Sequence, residues 1–174
     1  MRSMIKPWIV GTLVHLHTSS PTETHSIGHQ VGSLLPPSSI IGLDGPLGVG
    51  KTCFAQGVAM GLGVPASVHV TSPAYTLVQE YPLDQMTFVH IDFYRLDTLS
   101  LGDYVLFEVL FAKPNQIILV EWASKFMDEF TSESLLISIE HRLDEDHRSL
   151  SFFSNSSKYF PLLHQLAGHV HSVT

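Results

Sequence analysis

Eight residues run Gly45-Pro46-Leu47-Gly48-Val49-Gly50-Lys51-Thr52, the spacing G-x-x-x-x-G-K-T, between an apolar stretch at 40–44 and a helix-forming stretch that opens at Cys53. Glycines at these positions let the backbone turn tightly and aim successive N–H groups at one anion. The helix that follows adds the positive end of its dipole. Lys51 brings a cation within reach of outer phosphates, and the Thr52 hydroxyl is a hard oxygen of the kind Mg²⁺ takes. Strand, loop and helix in this order are the context in which the spacing binds nucleoside phosphates. The candidate cofactor-binding segment therefore runs from Gly45 through Pro46, Leu47, Gly48, Val49, Gly50, Lys51 and Thr52 to Cys53.

A phosphate loop needs acids and hydroxyls from neighbouring strands. Glu121 ends the apolar run Ile117-Ile118-Leu119-Val120, and Asp92 ends Phe88-Val89-His90-Ile91. Both fall at strand ends, where ligands collect in α/β sheets. Thr52, Glu121 and Asp92 are the candidate metal ligands; the residues leave open which acid touches the ion directly and which acts through water. Thr71-Ser72 follow the loop helix, at the place where switch hydroxyls contact a terminal phosphate in other proteins of this class, although Thr-Ser-Pro is also ordinary turn chemistry. The base-reading pattern N-K-x-D of guanine-specific GTPases is missing. Only four arginines are present (Arg2, Arg95, Arg142, Arg148), few for the phosphoryl clamp and lid of a nucleotide kinase. An ATPase or ATP-dependent switch is favoured, with a small kinase as the alternative.

The elements that must hold these groups can be read in order. Residues 8–17 read as a first strand rich in β-branched and aromatic residues. Ser20-Pro21-Thr22-Glu23 has the form of a capping box with proline at N1, and opens a helix whose stripe is Ile27, Val31, Leu34 and Leu35. Pro36-Pro37 stop it. Strand 40–44, the loop and helix 51–62 follow, with Gly61 and Gly63 as terminators. A strand is expected from Tyr75, a turn at 82–85, and a strand at 87–93 antiparallel to its neighbour. Residues 100–111 suit a helix, and 116–120 a central buried strand. Runs 135–139 and 149–153 form a hairpin around a charged turn. Residues 158–168 make a terminal helix, with Tyr159, Leu162, Leu163 and Leu166 inside and Pro161 in its first turn. The expected architecture is a single α/β domain over 1–174, a P-loop NTPase-like three-layer fold with a mixed central sheet.

Composition bounds the chemistry. The chain has 174 residues, 44% hydrophobic and 14% charged, enough for one sizeable core. Net charge is −7, and the nine Lys and Arg are scattered, so no basic stripe exists for tight binding of RNA or DNA by this chain alone. Cys53 is the single cysteine. It excludes an internal disulfide and fits a reducing compartment, and is read as a packed small residue at a helix start. No apolar run reaches membrane-spanning length and no secretory leader pattern opens the chain, so a cytoplasmic protein is expected. Eleven histidines include the pairs His15/His17 and His25/His29, read as surface or capping residues since neither pair has a third ligand nearby.

Gly45–Thr52, then Thr71-Ser72-Pro73-Ala74-Tyr75-Thr76-Leu77-Val78-Gln79-Glu80-Tyr81, His90-Ile91-Asp92-Phe93-Tyr94-Arg95-Leu96 and Leu119-Val120-Glu121-Trp122 stand in an order and spacing that resemble the TsaE (YjeE) family. The resemblance covers roughly residues 18–154 and leaves 155–174 outside. It implies a bacterial cytoplasmic ATPase needed to make threonylcarbamoyladenosine at position 37 of tRNA. ATP and Mg²⁺ would be its cofactors and TsaD-like and TsaB-like proteins its partners, with tRNA met only through them. It further implies that Lys51 and the loop backbone hold phosphates, that Thr52 and Glu121 organise the metal, and that Asp92 lies near the terminal phosphate. Thr71-Ser72 would form the switch segment, and Trp122 would lie beside the site. Two departures stand out. The family usually has Asp where Pro46 removes one backbone donor and one acid, and Gly-Arg where this chain has His147-Arg148. An ATP-gated assembly factor with little hydrolysis is the reading that Pro46 leaves open.

Overall fold

The computed structural model describes residues 12–126, 133–142 and 146–169. Residues 8–11 of the expected first strand and 143–145 of the expected charged turn lie outside them. In chain order the elements are β1 (Thr12–Thr18), α1 (Pro21–Leu34), β2 (Ile40–Asp44), α2 (Lys51–Gly61), β3 (Val78–Pro82), β4 (Thr87–Asp92), α3 (Leu101–Ala112), β5 (Gln116–Glu121), β6 (Leu135–His141), β7 (Arg148–Ser154) and α4 (Phe160–His169). Seven strands form one sheet in the order β1-β7-β6-β2-β5-β4-β3. The pairs β6–β2, β2–β5 and β5–β4 are parallel; β1–β7, β7–β6 and β3–β4 are antiparallel. The mixed α/β fold read from the sequence is therefore the one found. No helix among the described residues is long and apolar enough to cross a membrane.

Alternation along the central strands sorts side chains onto two faces. Ile41, Leu43, Phe88, Ile117 and Leu119 join the larger core with Val31, Phe54, Val58 and the leucines of α4. Val89, Ile91, Ile118 and Val120 face the other way, against Phe107 and Leu110 of α3. Every residue of β5 is buried, as its uninterrupted apolar run requires. Three layers thus stack over the half of the sheet that holds β2, β5 and β4. Beyond it, the outer face of β6 and β7 keeps Leu136, Ser149, Ser151 and Phe153 partly exposed. Helix α3 itself leaves Leu101, Val105 and Val109 more than half exposed.

The α1–α2 contact departs from the expected leucine-type stripe. Gly28 and Gly32 of α1 meet the backbone of α2 at Phe54, Val58 and Gly61, and Gly57 and Gly61 of α2 meet the backbone of α1 at His25, His29 and Ser33. A Cβ built on Gly28 would stand 2.3 Å from the Phe54 carbonyl oxygen, and one on Gly57 2.1 Å from that of His25. Ile27, Leu34 and Leu35 pack only partly buried at the margin of this contact. Gly61 therefore serves close approach, and the terminator is Gly63 alone, at φ 98° with its N–H donated to the Met60 carbonyl.

Two local expectations are corrected. Ser20 caps α1 by accepting from the Glu23 N–H, but the Glu23 carboxylate reaches back past Ser20 to the N–H and hydroxyl of Ser19, which hold its pKa below the ordinary carboxylate value. Strand β3 begins at Val78, three residues later than read. The segment before it is a turn closed by Leu77 N–H on the Pro73 carbonyl at 2.7 Å, with Leu77 at φ 67°. Tyr75, expected in that strand, stands 84% exposed. Residues 100–111 and 158–168 are helical as read, α3 carrying a full capping box between Ser100 and Asp103.

Candidate functional site

The loop that joins β2 to α2 is shaped by its first glycine. Gly45 has φ 147°, and a Cβ there would lie 2.3 Å from the Ile139 carbonyl oxygen of the adjacent strand, so no other residue fits. Gly48 and Gly50 also have positive φ, and Gly50 is the N-cap of α2. Lys51, only 5% exposed, folds over the loop and donates to the carbonyls of Gly45 at 2.8 Å and Pro46 at 3.0 Å. Its ammonium lies 4.1 Å from the centre of the Trp122 ring, within cation–π range. Burial lowers the Lys51 pKa, against the opposing charges of Glu121, Asp92 and Asp44. Burial likewise raises the Asp44 pKa at the end of β2, opposed by the N–H and hydroxyl of Ser124.

Parallel pairing brings the two acids to one edge. Asp92 stands opposite Glu121 in the β4–β5 register, and Glu121 opposite Leu43 of β2. Both are almost fully buried, at 3% and 2% exposed. The Thr52 hydroxyl donates to Glu121 Oε1 at 3.3 Å. Ser72 donates its hydroxyl to Asp92 Oδ2, and the Tyr94 N–H caps Oδ1 at 2.8 Å. Of the two switch hydroxyls read from the sequence, only Ser72 reaches this edge. Thr71 is exposed and lines the neighbouring cleft with Val64, Pro65 and Tyr81.

A cavity of about 400 Å³ joins these parts. Leu47, Gly48, Gly50, Lys51, Thr52 and Cys53 line it from the loop side, and Ser72, Asp92, Glu121 and Trp122 from the strand side. Ala74, Tyr75, Tyr94 and Arg95 complete the lining. Val49, counted with the loop, turns its side chain into the core instead. Cys53 is half-buried with its thiol on the Pro21 carbonyl, and burial raises its pKa, as suits the packed role read for it. Trp122 adopts left-handed φ 59°, ψ 38°, costly for a bulky residue, with its N–H on the Leu43 carbonyl at 2.9 Å. Tyr94 packs on it, ring centres 5.3 Å apart. The strained turn thus aims the indole at Lys51.

Two site residues escaped the sequence reading. His90, wholly buried, shares 3.0 Å between Nε2 and the same Glu121 Oε1 that Thr52 uses. A carboxylate accepts, so Nε2 donates; Nδ1 is buried with no hydrogen-bond partner among the described residues. Period two puts His90 on the face of Asp92, and the signal was there to use: a histidine two residues before a strand-end acid. Arg148, read only as a departure, is 7% exposed and donates Nε to the Val49 carbonyl at 2.7 Å. It pins the loop from behind, and its Nε would lie 3.3 Å from a Cβ at Gly50. Nothing in the sequence places β7 against the loop, 99 positions away.

The donor set suits Mg²⁺. Two buried carboxylates and two hydroxyls converge beside a backbone cradle, and this ion needs only one or two acids when phosphate and water complete its shell. Among the described residues no group of three or more His, Cys, Asp and Glu could hold an ion by itself. Of the paired histidines, His15, His17 and His29 are exposed and His25 is half-buried; His15 bonds Ser151 across strands.

A G-x-x-x-x-G-K-T loop between a central parallel strand and a helix, faced by acids at the carboxyl ends of the next two strands, defines a P-loop-type α/β protein. A family model described as threonylcarbamoyl adenosine biosynthesis protein TsaE matches residues 18–150, and the chain belongs to this family. It is 33% identical over 152 residues to the tRNA threonylcarbamoyladenosine biosynthesis protein TsaE of Bacillus subtilis, covering 87% of this chain and 92% of that protein. The protein of the same name from Aquifex aeolicus is 32% identical over 134 residues, 77% of this chain and 91% of the relative. Among solved structures, Bacillus subtilis YdiB superposes with TM-score 0.75 at 29% identity, covering 94% of this chain and 99% of its own.

Proposed function

We propose that this chain binds and hydrolyses ATP within the machinery that makes threonylcarbamoyladenosine at position 37 of tRNA, supporting turnover by a TsaB–TsaD-like pair in the cytoplasm. The observation that carries the reading is the meeting of Lys51, Thr52, Asp92 and Glu121 around one cavity at the carboxyl edge of β2, β5 and β4. Family membership supplies the pathway. In this reading the loop amides from Gly45 to Cys53 and Lys51 hold the phosphates, and Thr52 and Glu121 hold the metal with Asp92 beside them. Bound Mg²⁺ neutralises charge on the phosphates. Glu121 is kept in place by His90, and Ser72 is aimed through Asp92. Trp122 covers Lys51 and shields it from water.

The sparse basic surface fits a protein that meets tRNA through its partners. A small kinase is disfavoured because, among the described residues, Arg95 is the one arginine lining the cavity. Pro46 favours a second reading, an ATP-gated assembly factor with little hydrolysis, since it offers only a carbonyl, to Lys51, where the family usually has an acid.

Steady-state ATP hydrolysis, with and without the TsaB–TsaD pair, separates the readings. Hydrolysis that rises with the pair and is lost in Glu121→Ala is the expected result. Tight Mg·ATP binding without hydrolysis in either condition would favour the assembly factor. Lys51→Ala binding Mg·ATP as tightly as wild type would end both.

A further inference from the structure

Arg95 has no place in the phosphate-binding machinery described so far, yet it lines the same cavity. Its guanidinium lies 4.0 Å over the centre of the Tyr75 ring and makes no hydrogen bond or ion pair among the described residues. Among the described residues all five of its donors are therefore without a partner, and its one contact there is a cation–π contact to a side chain that is itself 84% exposed. At an exposed site such a contact is weak.

The backbone beneath it is fixed. Asp92 Oδ1 accepts from the Tyr94 N–H, and Leu96 N–H closes a turn on the Phe93 carbonyl. The Lys125 ammonium gathers the carbonyls of Phe93, Tyr94 and Leu96 at 3.2, 2.8 and 2.9 Å. A rigid turn thus carries one long cation that can swing. Its strand, β4, lies two places from β2 in the sheet, roughly 10 Å across. The loop amides and Lys51 serve the phosphates nearest β2, whereas a side chain springing from the end of β4 faces the far end of a phosphate chain.

The geometry points to Arg95 as the residue that distinguishes a nucleoside triphosphate from a diphosphate, by leaving Tyr75 to bind the terminal phosphate. This rests on the nucleotide reading above. The guanidinium exchanges a weak ring contact for charge-assisted bonds to phosphate, which are stronger and directional. The same movement frees Tyr75, so occupancy by triphosphate changes the surface at the cavity mouth. The chemistry at stake is recognition of a terminal phosphate dianion by one unneutralised guanidinium.

Fluorescent-nucleotide titration with Mg²⁺, using ADP and the non-hydrolysable β,γ-imido analogue of ATP, tests it. Arg95→Ala should weaken the triphosphate analogue roughly ten- to a hundredfold, the range of a lost charge-assisted bond, and leave ADP within about twofold. Arg95→Lys should recover part of the loss, and Tyr75→Ala should bind the analogue at least as tightly as wild type. Because Arg95 is exposed and unbonded, Arg95→Ala should keep its thermal midpoint without nucleotide. Equal losses for both nucleotides, or none for either, would overturn the role of Arg95 while leaving the nucleotide site standing. A wild-type chain that binds neither nucleotide would overturn the site and this inference together.

Discussion

His90 ties a buried carboxylate to a buried imidazole, and its removal has a calculable effect. His90→Phe keeps the stacking neighbour Phe88, 6.1 Å away between ring centres, but takes from Glu121 one of its two donors. Losing one hydrogen bond to a carboxylate costs about 1.5–3 kcal/mol. Urea unfolding of His90→Phe should show a lower midpoint at unchanged slope, and His90→Gln, with an amide N–H₂ to offer Glu121, should regain part of it. A His90→Phe midpoint equal to wild type would mean that Glu121 does not depend on this donor. At this scale the acids were legible because each ends an apolar run that only a central strand explains. His90 was missed although its spacing from Asp92 offered a signal, since a histidine inside such a run reads equally as a core residue. Thr71 and Ser72 could not be told apart, because they lie in a turn where no period assigns a face.

Helix α2 begins at the loop lysine and is held along its length by glycines against α1. Gly57→Ala would push a methyl group to 2.1 Å from a backbone oxygen, and backbone cannot rotate aside as a side chain can. The helices must separate, at about 1–3 kcal/mol or more, although alanine is the better helix former. Thermal unfolding of Gly57→Ala should therefore fall, while Gly63→Ala, with nothing within 4 Å but φ 98°, should fall for backbone strain alone. An unchanged Gly57→Ala would mean that the close approach is not needed. Strands β2, β4, β5, β6 and β7 could be read from apolar runs. The late start of β3 could not, because Tyr75-Thr76-Leu77 alternate as a strand would while the chain there turns back on Pro73. The glycine contact was illegible for a related reason: hydrophobic periodicity counts side chains, and the four glycines at this contact have none.

At the scale of the molecule, the sheet order could not be read, since short connections reveal only the β3–β4 and β6–β7 hairpins. That order decides where Arg148 lies and what the C-terminal segment does. The Tyr159 hydroxyl, fully buried, accepts from the Ile40 N–H at 3.0 Å and donates to the Ile40 carbonyl at 3.2 Å. It thereby supplies at Ile40 the partner that β6, whose pairing with β2 starts at Ile41, does not. Burial raises the Tyr159 pKa, keeping the hydroxyl neutral and able to donate. Tyr159→Phe should cost about 1–3 kcal/mol in denaturant unfolding, since two backbone groups lose their partner at once. Stability equal to wild type would show that water replaces it. This tie also has a temporal side. Tyr159 is made 119 positions after Ile40, and at ordinary elongation rates on the order of ten seconds separates them. On the ribosome, the strand that feeds the phosphate loop waits unanchored at its first residue until a segment beyond the family match has emerged, so the site is completed only after that segment has been made.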